Sequence, residues 1–328
     1  MRKFKLAEPQ TLEQALSLLS KSGEAVFLMS GGTDLLTEIK EGVAEPGLVI
    51  DLKAIQGLSF IKKEADAVRI GALTTVADLA SDALIRQEYP GIHEAALLVA
   101  TPQIRNVGTV GGNLCQRPRC WYYRDSQIHC RKKGGSQCFA YKGRNKYHAI
   151  LGGGMCYVVY PSDLAPALIS FEALAVIVSP RGEKIIPLAD FYALPSKNVR
   201  RENVLGPDEI LREVKIPLAK KEDKSTYIKL KERGTWDFAL VSAAVKGTVS
   251  GRSFKDLRIV LGGVAPIPWR LEKAQEALTN RNLTEPLIKD AARAALADAK
   301  PLEENGYKKR LVEAALSRSL MNLVESSS

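Results

Sequence analysis

All five thiols of the chain, Cys115, Cys120, Cys130, Cys138 and Cys156, fall in one stretch, leaving none in the first 114 or the last 172 of its 328 residues. Just before them stands a glycine turn, Thr109-Val-Gly-Gly-Asn113. Cysteines crowded in this way can form disulfides, a zinc site or an iron-sulfur cluster. The chain opens Met-Arg-Lys-Phe-Lys with no apolar run of signal-peptide length. That opening and the odd cysteine count favour reduced cytosolic thiols over disulfides. Structural zinc usually takes tight Cys-x2-Cys pairs, whereas the gaps here are four, nine, seven and seventeen residues. Zinc is poorly matched but stays open. Four thiolates converging from a long loop suit an iron-sulfur cluster at irregular spacing. Between Cys115 and Cys156 nine basic residues face a single acid, Asp125, and cations of this kind stabilise thiolates and offset the charge of a cluster. A solvated basic loop with a few buried cysteines accounts for the spacing as well.

A second glycine turn lies near the start. Ala25-Val-Phe-Leu-Met29 has the composition of a short buried strand, followed by Ser30-Gly-Gly-Thr-Asp34 and the helical run Leu35 to Lys40. A strand ending in glycines and leading into a helix presents bare backbone N–H groups at a positive helix end, which suits a phosphate. The plainer alternative is a tight turn. Two such turns could grip both sides of a dinucleotide's diphosphate. Neither is the Gly-x-Gly-x-x-Gly fingerprint of the nucleotide-binding βαβ fold, and no Walker lysine is present.

The elements that must position these turns alternate along the chain. A strand at Lys3 to Lys5 precedes a helix opening at Thr11, where Thr11 and Gln14 have capping-box spacing. Strands are expected at Leu48 to Asp51 and Ala67 to Gly71, and helices after Thr74 or Thr75 and over Gly91 to Ala100, where His93 reads as a surface or capping residue. Tyr157 to Tyr160 is expected as a strand. Pro161-Ser-Asp-Leu-Ala-Pro166 then turns into a helix, and Ala173 to Val178 pairs through a turn at Ser179 to Glu183 with Lys184 to Pro187. Another strand runs over Glu209 to Ile216. Pro217 to Ser225 is polar and proline-led, the best domain boundary. Three strand-like runs follow, at Thr226 to Lys231, Ala239 to Ser250 and Leu257 to Val264, and then helices from Leu271 to the end.

At 45% apolar and 26% charged the composition is that of a globular protein of two or more domains. No apolar stretch approaches the ~20 residues of a membrane helix, so no membrane insertion is expected. The net charge of +10 suits nucleic acid, an acidic partner or an anionic cofactor. One function class is therefore a basic nucleic-acid-binding protein with a zinc-stabilised cysteine loop, in which Trp121, Tyr122 and Tyr123 would stack on bases.

The motifs support another. Over essentially its whole length the chain resembles the FAD-binding (medium) subunit of the molybdenum hydroxylases, the xanthine dehydrogenase and carbon monoxide dehydrogenase family. Ser30-Gly-Gly-Thr-Asp-Leu35 is similar to that family's Ala-Gly-Gly-Thr-Asp-Leu, Thr109-Val-Gly-Gly-Asn113 matches its second glycine motif, and Pro161 to Pro166 matches its Ser-Asp-Leu-x-Pro segment. The long connection between the last two is similar to the insertion of the 4-hydroxybenzoyl-CoA reductase beta subunit and some bacterial aldehyde oxidoreductases, which holds an additional [4Fe-4S] cluster.

The resemblance implies an α+β fold: a two-part N-terminal FAD-binding domain of the PCMH type over 1–219 and a C-terminal domain over 220–328. The first part would span 1–55 as one subdomain and 56–219 as another, with the cysteine insertion at 114–156. The C-terminal domain would be a three-stranded antiparallel sheet with a helical bundle, of the CO dehydrogenase flavoprotein type. For FAD it implies Gly31, Gly32, Thr33 and Asp34 on one side of the diphosphate, with Met29, Ser30 and Leu35 beside them, and Thr109, Gly111, Gly112 and Asn113 on the other. Asp163 would meet ribose or ribityl hydroxyls and Lys229 would stand near the isoalloxazine, where a cation favours the reduced flavin anion. Leu28, Val99 and Leu211 would line the ring pocket, and Phe238 is a candidate to cover it. Without the resemblance Lys229 reads as a solvated strand lysine. Cys120, Cys130, Cys138 and Cys156 would ligate the cluster, with Cys115 the spare thiol, although Cys115 and Cys120 could exchange roles. No residue here reads as catalytic. The implied function is an electron-relay subunit in the cytoplasm, joined to a large molybdopterin subunit and a small [2Fe-2S] subunit as a dimer of heterotrimers, with ferredoxin or another one-electron carrier outside it. A metal-free loop on the same FAD fold is a third reading.

Overall fold

The computed structural model describes residues 2–21 and 25–325. Its three sheets follow the chain. The first is wholly parallel, with β1 (Lys5–Ala7), β2 (Val26–Met29) and β3 (Leu48–Asp51) in the order β1-β3-β2. The opening strand starts at Lys5 rather than Lys3, because Lys5 registers with Leu48. The helix Leu12–Lys21 begins at the expected cap: the Gln14 amide donates to Thr11 Oγ1 at 3.3 Å, and Gln14 Oε1 accepts from the Thr11 amide at 3.3 Å. Ala15, Ile50 and Leu52 bury one face of this layer, and Ile39 and Val49 the other.

The second sheet is antiparallel, built from β4 (Ile61–Lys63), β5 (Ala67–Gly71), β6 (Leu174–Ser179), β7 (Gly182–Pro187) and β8 (Ile210–Pro217) in the order β4-β5-β8-β6-β7. Helices Val76–Ser81, Pro90–Leu97 and Leu164–Ser170 cover it and bury Leu79, Ile92 and Leu168 against Val68, Ile70 and Val214. Tyr157 to Tyr160 joins no ladder. Its backbone bonds go to loops instead, with the Tyr160 amide on Ala265 O at 3.0 Å and Tyr157 O accepting from Ala149 at 2.8 Å.

The third sheet carries β9 (Asp223–Leu230), β10 (Val241–Ser250), β11 (Ser253–Gly262) and the two-residue β12 (Trp269–Arg270) in the order β12-β11-β10-β9. The expected three strands thus gain a short fourth at the edge, where Trp269 registers with Leu261. Helices Glu272–Leu278, Glu285–Ala295 and Lys308–Glu325 back the sheet. Strand β10 is buried without a break from Val241 to Gly247, because both faces are covered. Ala243 and Val245 face the C-terminal helices, while Ala244 joins the N-terminal core with Tyr227 and Val260. The C-terminal sheet is therefore a shared wall, and its β9 edge is carried onto the N-terminal domain.

Candidate functional site

The two glycine turns touch. Thr109 Oγ1 donates to Ser30 Oγ at 3.0 Å and accepts from the Gly112 amide at 3.1 Å, capping the helix Val110–Cys115. Gly31 is packed so closely on the next loop that a Cβ there would lie 2.2 Å from Val107 O. Gly32 holds φ at +72°, which only glycine adopts freely. Among the described residues the amides of Gly31, Gly32 and Thr33 have no hydrogen-bond partner, and they sit before the helix Leu35–Lys40. These are the groups an anionic diphosphate needs.

Both turns line one cleft of about 530 Å3. Leu28, Met29, Ser30, Gly31, Gly32, Thr33, Asp34 and Leu35 form one side of it, and Thr109, Gly112 and Asn113 the other, with Val99, Asp163 and Lys229 at its walls. Two expected residues stand elsewhere. Leu211 is buried in β8 opposite Ile177, inside the N-terminal core. Gly111 gives its amide to Ala72 O at 2.8 Å, and a Cβ there would lie 2.8 Å from that of Ala72, so it is a packing glycine behind the turn. Asp34 also differs in role. Its carboxylate takes the Arg117 amide at 2.7 Å, Arg124 Nη2 at 2.6 Å and Arg119 Nη1 at 3.0 Å. A carboxylate so occupied braces the cysteine segment against the first turn, and presents arginines rather than its own charge to an anion. Arg117, Arg119 and Trp236 line the cleft too. Spacing alone did not reveal them, and the signal in the sequence was their nearness to the cysteines and to Phe238.

The third motif ties the second turn to the C-terminal sheet. Ser162 Oγ donates to Asn113 Oδ1 at 2.5 Å. Asp163, which is 5% exposed, accepts from Tyr227 OH at 2.7 Å and Lys229 Nζ at 2.7 Å. Tyr227 and Lys229 are two apart on β9 and so project on one face. Lys229 Nζ also donates to Leu98 O at 3.0 Å. Burial raises the Asp163 pKa above the usual aspartate range, and the Lys229 charge opposes that rise.

A second cavity, of about 550 Å3, adjoins the cleft across Arg119, Pro161, Asp163, Asp237 and Phe238. The Arg119 guanidinium lies 5.1 Å from the centre of the Phe238 ring. Trp121, Tyr147 and His148 complete this aromatic chamber, and Cys120 is in its wall.

Behind Cys120 is a narrow pocket of about 10 Å3 lined by Cys120, Cys130, Cys138 and Cys156 together. Cys115 is not among them; it faces the FAD-sized cleft, where burial pushes its thiol up to about 12. All five cysteines are free. A hydrogen bond from Cys156 lowers the Cys138 thiol to about 6 and raises that of Cys156, while burial lifts Cys120 to about 12. Among the described residues no three His, Cys, Asp or Glu side chains are close enough to hold one metal ion. A zinc ion would draw four sulfurs to about 2.3 Å from a single point, so the zinc-loop reading has no support in this geometry.

The basic residues around the thiols are tied inward. Lys132, with its side chain 2% exposed, pairs with Glu202 at 2.5 Å and donates to Val199 O at 3.0 Å. Arg117 pairs with the same Glu202 at 2.7 Å. Exposed cations remain, but Arg117, Arg119, Arg124 and Lys132 are structural, which removes much of the case for a nucleic-acid face. The C-terminal domain clamps the segment from outside: Lys308 Nζ donates to Tyr147 O at 2.9 Å and Gly263 O at 2.7 Å, and the Asn305 amide donates to His148 O at 3.1 Å. His93 is half-buried in Pro90–Leu97 and lines none of these cavities. Among the described residues no helix is long and apolar enough to cross a membrane.

Comparison with known proteins agrees with this geometry. The family model for the FAD-binding domain in molybdopterin dehydrogenase matches residues 2–219, and that for the CO dehydrogenase flavoprotein C-terminal domain matches residues 225–323. The aldehyde oxidoreductase FAD-binding subunit PaoB of Escherichia coli is 36% identical over 94% of this chain and 94% of its own. The carbon monoxide dehydrogenase medium chain of Hydrogenophaga pseudoflava is 29% identical over 92% of this chain and 89% of its own. A solved carbon monoxide dehydrogenase from the same organism superposes with a TM-score of 0.78 at 27% identity, covering 99% of this chain and 98% of that one. With two touching glycine turns on one dinucleotide-sized cleft and both family models covering the chain almost end to end, this protein belongs to the FAD-binding subunits of the molybdenum hydroxylases, the flavoprotein components of oxidoreductase complexes.

Proposed function

We propose that this chain carries both FAD and a [4Fe-4S] cluster and relays electrons within a molybdopterin-dependent hydroxylase or dehydrogenase complex of the aldehyde, xanthine or 4-hydroxybenzoyl-CoA type. The observation that carries the proposal is the convergence of Cys120, Cys130, Cys138 and Cys156 on one pocket whose Cys120 wall is also the wall of the chamber beside the FAD cleft. A cubane spreads its ligands over four corners, so the sulfurs need not meet at one point, and loading it requires Cys138 and Cys156, now hydrogen-bonded to each other, to part. Lys132 stands in the same pocket and supplies buried positive charge to thiolates. FAD exchanges electrons in pairs or singly, which is the chemistry it supplies here.

For FAD we assign the amides of Gly31, Gly32 and Thr33, with Ser30, Thr109, Gly112 and Asn113, to the diphosphate side. Asp163 and Lys229 belong to the ring and sugar side, with Leu28 and Val99 as apolar walls. Domain limits at 219/220 fit the turn between β8 and β9. The partners we propose are a large molybdopterin subunit and a small [2Fe-2S] subunit, assembled as a dimer of heterotrimers in the cytoplasm, where reduced thiols persist, with a ferredoxin-like carrier outside.

Isolation of the native complex tests this. Molybdenum, FAD and iron should co-purify with this chain and two others, and substrate should bleach the flavin and cluster absorbance together. A chain that purifies alone from its native source, or a complex whose iron is fully accounted for by the small subunit, would overturn it.

A further inference from the structure

Among the described residues, Cys120 and His148 alone line both the aromatic chamber and the thiol pocket. His148 Nε2 lies 3.2 Å from Cys120 Sγ. The ring is 3% exposed and held edge-on to Trp121, with centroids 5.5 Å apart. Its backbone is fixed from both sides, since the amide donates to Asn145 O at 2.9 Å and the carbonyl accepts from Asn305. Its other nitrogen, Nδ1, is buried and has no partner among the described residues. A neutral imidazole carries one N–H, and a Cys120 sulfur bound to a cluster has no proton and could only accept, so that proton would sit on Nε2.

We propose that His148 is a positioning residue that donates an Nε2–H hydrogen bond to the Cys120 sulfur and thereby raises the reduction potential of the cluster on its flavin-facing edge. The inference rests on the cluster reading above. The reduced cluster carries one more negative charge, spread in part onto its sulfurs, so a hydrogen bond to sulfur stabilises the reduced form more than the oxidised one. The process concerned would be the exchange of a single electron between the flavin and the cluster that this chain would hold. No bond forms or breaks, and the imidazole keeps its proton. Removing the donor should make the cluster a poorer acceptor while leaving the FAD cleft untouched, because His148 does not line that cleft.

The test is a redox titration of the anaerobically purified full chain, wild type against His148→Phe and His148→Gln, with iron and FAD measured on each sample. In His148→Phe the ratio of reduced to oxidised cluster at fixed ambient potential should fall about tenfold, equal to a negative shift of about 59 mV for one electron. The flavin potential and the iron content should be unchanged. His148→Gln, whose amide can still donate, should recover part of the shift. An unmoved cluster potential in His148→Phe with iron retained overturns the inference and leaves the cluster reading standing. Loss of iron from both variants with FAD retained would make His148 a ligand and also overturn it. Absence of iron from the wild type would instead remove the cluster reading itself.

Discussion

Lys229 Nζ and Asp163 Oδ2 are 2.7 Å apart with side chains only 1% and 6% exposed, so an ion pair from two different domains is buried in the wall of the FAD cleft. Removing one member of such a pair leaves the other charge without compensation, which costs about 3–5 kcal/mol when the survivor stays ionised. Lys229→Met should therefore lower stability by up to that amount and weaken FAD retention. The sign of the pH dependence follows from Asp163. Its folded pKa is already raised by burial, and loss of Lys229 raises it further. A carboxyl whose folded pKa exceeds its unfolded value binds more protons when folded, so its contribution falls as pH rises. Urea unfolding should then show a larger gap between wild type and Lys229→Met at pH 8 than at pH 5, and a gap independent of pH contradicts this account.

Gly31→Ala places a Cβ 2.2 Å from Val107 O, a backbone atom that cannot swing aside. The two glycine turns must then part. Overpacking of this kind costs about 1–3 kcal/mol, and the FAD bound per chain should fall along with Tm. Gly234→Ala is the control, since nothing lies within 4 Å of the added atom, and it should leave both unchanged.

Lys308 is fully buried, and burial lowers its ammonium pKa to about 7. Between pH 7 and the unfolded lysine pKa, the unfolded chain holds a proton that the folded chain does not, so stability rises with pH across that window and is flat below it. The slope should approach 1.4 kcal/mol per pH unit. Lys308→Met should abolish it. Equal slopes for the two proteins from pH 7.5 to 9.5 would show that Lys308 keeps its charge when folded.

Cys115 and Cys138 distinguish the two thiol environments. Cys115 faces the FAD cleft, and Cys138 the pocket shared with Cys120, Cys130 and Cys156. Cys138→Ser should lose most of its iron and retain FAD, while Cys115→Ser should keep its iron, as read by iron and acid-labile sulfide analysis. Loss of iron from Cys115→Ser, with iron kept in Cys120→Ser, would move the first ligand from Cys120 to Cys115.

Local chemistry was readable wherever the interaction is local. The Thr11 and Gln14 cap, the bare amides of Gly31 to Thr33 and the Thr109 helix cap all close within a few residues. Reading failed where a distant segment decides the role. Asp34 looked like a phosphate residue until Arg117, Arg119 and Arg124, some 83 to 90 positions away, occupied it. Tyr157 to Tyr160 has strand composition, but its partners are Ala149 and Ala265 in loops. Leu211 and Gly111 carry no mark in the sequence of which side of the wall they face. Nothing in the sequence marks Lys132 and Lys308 as buried, because Glu202 and the carbonyls of Tyr147 and Gly263, which hold them inside, come from other parts of the chain.

The most direct measurement is the cofactor content of the isolated full chain, purified without oxygen, together with Cys130→Ser. One FAD and about four each of iron and acid-labile sulfide per wild-type chain are expected, with iron lost and FAD kept in the variant. A wild-type chain that holds FAD without iron, or whose iron survives the loss of Cys130 unchanged, would contradict the account.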